Sequence, residues 1–181
     1  MSISKIIKSR ISNTNFNEKQ VDSKLLIDLL DVAVYAPNHK MREPWRFIIL
    51  QNKGKDAFVS KYIKELNDEQ KEQFEPAINK VFKAPTVLAF VMPTNQDIHD
   101  ELEDMEAVAT VIQNFMLLAT EAGLATAWKT PMYIETEKFK EVLGLSIKEI
   151  VIGLVMVGYS DFTRDPKPRK AAKDLTTIYS K

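Results

Sequence analysis

The sequence predicts an α+β domain with a mixed central sheet flanked by helices. Three observations lead there. Several segments repeat apolar residues at helical spacing, four short runs are rich in β-branched and aromatic residues, and helical segments separate most of those runs. At 181 residues and 45% hydrophobic, the chain is long enough to bury a core of its own. We take residues 1–181 as one domain whose last part, about 160–181, is an arm.

Taken in order, Ile3, Ile6 and Ile7 give residues 3–9 one apolar helical stripe, which small polar residues end after Arg10. Asp22-Ser23 is an N-cap signal for a helix through Tyr35, with Leu25, Leu26, Leu29, Leu30 and Ala33 on one face. Pro37 stops that helix, because a proline denies the residue before it a comfortable α conformation. The loop Asn38–Pro44 follows, carrying His39, Lys40 and Arg42 free to face a ligand, and Pro44 launches a strand from Arg46 to about Gln51. Asn52-Lys53-Gly54 reads as a turn, and residues 55–82 as two charged helices whose buried stripe includes Phe58, Tyr62, Phe74 and Phe82. The run Thr86–Met92 is apolar almost throughout, as in a strand covered on both faces. The longest helix runs from about Asp97 to Ala122. Eleven of the sixteen residues Met105–Thr120 are apolar and keep to no single stripe, so this helix must be surrounded, with a second subunit as the simplest source of cover. Gly123 ends it. Leu124–Thr130 reads as a strand, 135–143 as a short helix stopped by Gly144, and Ile150–Tyr159 as a strand. The proline-restrained, basic tail from Ser160 contributes an arm and a further strand.

Composition excludes several functions. Lys+Arg and Asp+Glu are both 25, so the net charge is zero, against a general nucleic-acid or anionic-membrane binder, which needs a basic excess. With no cysteine there is no disulfide, thiolate zinc site or cysteine nucleophile. The N-terminus lacks the apolar core of a signal peptide and no run reaches a membrane span, so a cytoplasmic location is expected. Two histidines make a metal site improbable, and His99-Asp100-Glu101 reads as an acidic first turn favoured by the helix dipole. No G-x-S-x-G, G-x-G-x-x-G or Walker loop occurs among only 5 glycines.

What remains is a set of cations beside small polar residues: Arg10 with Ser12, His39 with Lys40 and Arg42, Trp128-Lys129-Thr130, and Arg169 with Lys170. Guanidinium and hydroxyl groups suit a phosphate, and a tryptophan with a lysine suits a planar, electron-accepting ring. Gathered together, they would hold one phosphorylated, partly aromatic ligand.

The order of these clusters resembles the nitroreductase family of FMN enzymes, in particular its short, minimal members. The resemblance rests on Arg10-Ile11-Ser12, Ala36-Pro37-Asn38-His39-Lys40 with Pro44-Trp45-Arg46-Phe47, Gln113-Asn114 on the long helix up to Gly123-Leu124, and Trp128-Lys129-Thr130. It spans Arg10 to Arg169 and implies a nitroreductase-like fold in an interlocked homodimer, with two FMN sites built from both chains. By this resemblance Arg10, Ile11 and Ser12 would hold the ribityl phosphate and its adjoining chain. Trp128, Lys129 and Thr130 would line the isoalloxazine, His39 and Tyr35 would reach over from the partner, and Arg169 would add to the phosphate site. The implied activity is an NAD(P)H-dependent oxidoreductase with NADH or NADPH as reductant, passing electrons by ping-pong to a nitroaromatic, quinone or similar acceptor. Lys129 would act through its charge, without an obligatory acid or base. Met41 and Glu43 depart from the Asn and Gln that many members carry before Pro-Trp, which leaves the acceptor open. The alternatives are a flavin-binding or sensor protein without turnover, and a colourless interaction module.

Overall fold

The computed structural model describes residues 2–180. Its elements follow the hydrophobic pattern closely. Helices α1 (Ile3–Ser9), α2 (Ser23–Ala33), α3 (Asn52–Glu65), α4 (Asp68–Phe82), α5 (Ile98–Glu121) and α6 (Glu137–Leu143) accompany strands β1 (Arg46–Gln51), β2 (Thr86–Pro93), β3 (Ala125–Lys129) and β4 (Glu149–Gly158). Caps explain several limits. The Asp22 carboxylate accepts from the Lys24 N–H, Asp97 accepts from the N–H groups of His99 and Asp100, and Thr136 accepts from that of Phe139. Gly123 and Gly144 take the left-handed conformation just past α5 and α6, as their positions in the sequence predict.

The strands lie in the order β1-β2-β4-β3, and every neighbouring pair is antiparallel. The expected mixture of directions therefore appears differently. One helix, α5, connects β2 to β3 and makes them run the same way, but β4 enters between them, antiparallel to both. Two helices separate β1 from β2, so the chain returns antiparallel. Among the described residues, parallel pairing is confined to one bridge, Ser12 with Thr126, which lays the N-terminal segment along the β3 edge. There the Asn13 N–H donates to the Thr126 carbonyl at 3.0 Å.

Two layers of core sandwich this sheet. Val87, Ala89 and Val91 pack towards α3, α4 and α6, while Leu88, Phe90 and Met92 pack towards α2 and α5. Alternation along β2 thus buries both faces, as its unbroken apolar run requires. Helix α5 buries Val108, Val111, Ile112, Phe115 and Met116, yet leaves Leu102 and Met105 exposed within one chain.

Three local expectations change. The turn read at Asn52–Gly54 is a single left-handed residue, Asn52 (φ 53°), and α3 starts at once. Part of the segment before α6 is a 3-10 turn, Met132–Glu135. The tail makes no strand within the chain among the described residues; it is extended and exposed, with one 3-10 turn at Ala172–Leu175. No helix among the described residues is long and apolar enough to cross a membrane.

Candidate functional site

The bridge between Ser12 and Thr126 settles which predicted residues meet. Trp128 lies two residues beyond Thr126 on β3, so Ser12 and Trp128 are separated by about 7 Å of strand rise, while Arg10 runs the other way, towards Leu124 and Ala125. Arg10 follows the last turn of α1 and is half-buried. It lines two adjoining clefts. One of about 260 Å³ is shared with Ile11, Asn13, Thr120, Thr126 and Arg164; one of about 560 Å³ is shared with Lys8, Gln113, Lys167 and Arg169. The tail arginine predicted to join the site is therefore beside Arg10, although its guanidinium donates to the Lys167 and Pro168 carbonyls at 2.8 and 3.3 Å.

The electrostatics of this end are unbalanced. Lys8, Arg10, Lys167 and Arg169 share the larger cleft, and among the described residues none of them has a carboxylate within ion-pairing distance. Burial and then the nearby charge of Arg169 push the Arg10 guanidinium below its ordinary pKa. Arg10, the one half-buried member of this cluster, costs free energy unless an anion joins it, while Lys8, Lys167 and Arg169 are exposed. A phosphate is such an anion, so the donor set suits the phosphate end of FMN.

The ring end is less open than the sequence implies. The Trp128 indole packs into the α5-side core and lies over Gly153, where an added Cβ would come 2.0 Å from Nε1. That Nε1 is buried without a hydrogen-bond partner. Lys129, pairing with Leu154 on β4, projects from the other face of the strand by the two-residue alternation and has no ion-pair partner among the described residues. Thr130 opens instead on a separate cavity of about 320 Å³ with Met105, Ile134, Lys140 and Ile152.

His39 does not join the others within one chain, and Tyr35 faces outwards just past α2. Tyr35 is 88% exposed. His39 Nδ1 stands 3.7 Å from Glu103 Oε1, whereas Arg10 meets α5 at Thr120 in the smaller cleft, about 25 Å further along that helix. Arg42, expected to face a ligand, is instead committed to α5. It donates from Nε to Asp104 at 2.7 Å, from Nη2 to Glu103 at 3.0 Å and from Nη1 to Asp100 at 3.3 Å. Sequence reasoning missed Lys8 and Lys167, whose charges lie in plain view but whose convergence needs the tail to fold back. It also missed Asn13, buried and donating to Ser160 Oγ at 2.9 Å, and Gly153, whose lack of a side chain admits Trp128.

Fold and sequence together place the chain in the nitroreductase family, whose sequence profile matches residues 7–159. YfhC of Bacillus subtilis (strain 168), provisionally named an NAD(P)H nitroreductase, is 31% identical over 180 residues, covering 95% of this chain and 91% of that protein. The crystal structure of a nitroreductase-like family protein from Bacillus cereus superposes with a TM-score of 0.92 at 30% identity, covering 100% of this chain and 97% of that one. The FMN- and NADPH-dependent nitroreductase NfnB from Sphigopyxis sp. strain HMH shares the fold, with a TM-score of 0.81 at 18% identity and coverage of 99% and 100%.

Proposed function

We propose that the chain is an FMN-dependent NAD(P)H oxidoreductase that passes electrons to nitroaromatic, quinone or similar acceptors. The observation that carries this reading is the uncompensated cation cluster Lys8, Arg10, Lys167 and Arg169 beside the Ala125 end of β3, the strand that carries Trp128 and Lys129 at its other end, in a nitroreductase-family fold. Arg10, Ser12 and Arg169 hold the phosphate, and Ile11 flanks the chain leading from it. Trp128, Lys129 and Thr130 border the ring, with Trp128 acting as a packed wall rather than a free stacking surface. Bound there, FMN would supply two-electron transfer between a reduced nicotinamide and the acceptor. Lys129 keeps a positive charge at the ring edge, favouring the negative charge that reduction brings. Reductant and acceptor using this site in turn would give ping-pong kinetics and would ask no protein group to move a proton obligatorily.

His39, distant from Arg10 in its own chain, and the exposed Tyr35 act from a second copy in a homodimer. That copy also covers exposed Leu102 and Met105 on α5. A cytoplasmic setting, where NADH and NADPH are supplied, belongs to the same proposal. The test is oxidation of NADH and NADPH by FMN-loaded protein with a simple quinone. The wild type turns over. Lys129→Ala retains much of its FMN but is reduced by nicotinamide at least tenfold more slowly in stopped flow. Unchanged reduction rates in Lys129→Ala contradict its role, and a yellow protein without turnover returns the chain to flavin binding alone.

A further inference from the structure

The loop between α2 and β1 holds an unusual backbone. Lys40, Met41 and Glu43 all have positive φ (52°, 53° and 48°), and none is glycine. Such conformations are disfavoured for L-residues and persist where the surroundings enforce them. Two devices enforce them here. Within the loop, Asn38 Oδ1 accepts from the Glu43 N–H at 2.9 Å and Asn38 Nδ2 donates to the Ala36 carbonyl at 3.3 Å. Across to α5, Arg42 grips Asp100, Glu103 and Asp104, which stand at i, i+3 and i+4 and so share one helix face. Asp104 is the deepest, its side chain only 5% exposed.

One carboxylate joins this grip to the imidazole. Glu103 presents Oε2 to Arg42 at 3.0 Å and Oε1 to His39 Nδ1 at 3.7 Å and His99 Nε2 at 3.5 Å. We propose that Arg42 is a positioning residue: by clamping the strained loop to α5 through Asp104 and Glu103, it fixes the place from which His39 is presented to the ligand of the neighbouring site. The clamp itself stands on the geometry of this chain; the destination of His39 rests on the FMN reading above. Arg42 touches neither cofactor nor substrate. Its fork shape is what the task needs, since a lysine cannot serve three carboxylates in fixed directions.

The two histidines make the test direct, because each gives a resolvable imidazole proton signal, assigned with His39→Asn. His99 rides on α5 and His39 on the loop, and both face Glu103. In Arg42→Gln, at one fixed pH, the His39 signal moves by at least a linewidth towards that of an unstructured histidine, whereas the signal of His99, held on α5, moves less. Arg42→Lys, which keeps a charge for folding, shows the same difference at smaller size. Signals that move together, or that do not move, overturn the clamp.

A second readout concerns the ligand. Arg42→Gln weakens FMN binding severalfold in the wild-type background and adds nothing in a His39→Ala background, where a merely structural role would act in both. Equal losses in the two backgrounds overturn the assignment of Arg42 to His39. A wild-type protein that binds no FMN fails the functional reading, while the two imidazole signals still decide the clamp.

Discussion

Gly153 shows how a missing side chain shapes the site. A methyl group there meets Trp128 Nε1 at 2.0 Å and Cδ1 at 2.8 Å, inside a core that cannot yield without moving the indole off β4. Gly153→Ala is expected to cost about 1–3 kcal/mol, the usual penalty of overpacking, read as a lower urea midpoint together with a changed tryptophan emission. Glu103 supplies a pH dependence. Its hydrogen bond to Arg42, then the nearby His39 and His99, hold its carboxyl below the usual glutamate range despite partial burial. A carboxylate with a lowered folded pKa stabilises the fold above its unfolded value, about 4.3, and loses that contribution as pH falls through the folded value. Wild type is therefore more stable than Glu103→Gln at pH 6, and the gap in melting temperature closes below about pH 4. The role of Arg42 was not legible in the sequence. A cation on a loop next to prolines looks available, and the carboxylates that claim it lie 58 to 62 positions away, on a helix whose orientation only the fold reveals.

At the level of elements, local chemistry sets most boundaries. Asn67 begins α4 with a reciprocal capping box, its side chain accepting from the Gln70 N–H at 2.8 Å while Gln70 accepts from the Asn67 N–H at 3.2 Å. Asn67→Ala is expected to destabilise the protein by about 1 kcal/mol, measurable by denaturant titration, with no effect on flavin binding because α4 packs on the opposite side of the sheet from α5. Where capping and periodicity govern, sequence reading succeeded: α5 was expected over 97–122 and spans 98–121, and the strand expected over 150–159 spans 149–158. It failed where the outcome is not local. Nothing in the run 150–158 tells that it inserts between β2 and β3, and Asn52 passes for part of a turn because its left-handed backbone replaces three residues with one.

Across the whole molecule, the predicted site residues spread along α5 and β3. Arg10, Ser12 and Arg169 gather near the start of β3 and the end of α5, Lys129 stands at the opposite end of β3, and His39 sits towards the start of α5. Sequence could name these residues because each cluster carries recognisable residue types, but it could not show their separation or the excess positive charge that the folded tail brings to Arg10. That excess is the ground for the proposal that the Arg10 cleft takes a phosphate. Titration of FMN into wild type and Arg10→Glu, followed by quenching of flavin fluorescence, tests this most directly. The wild type is expected to bind saturably and Arg10→Glu at least a hundredfold more weakly, with the melting temperature of the ligand-free variant equal to or above that of the wild type, since a carboxylate there relieves the repulsion from Arg169. Equal FMN affinity in the two proteins would contradict it.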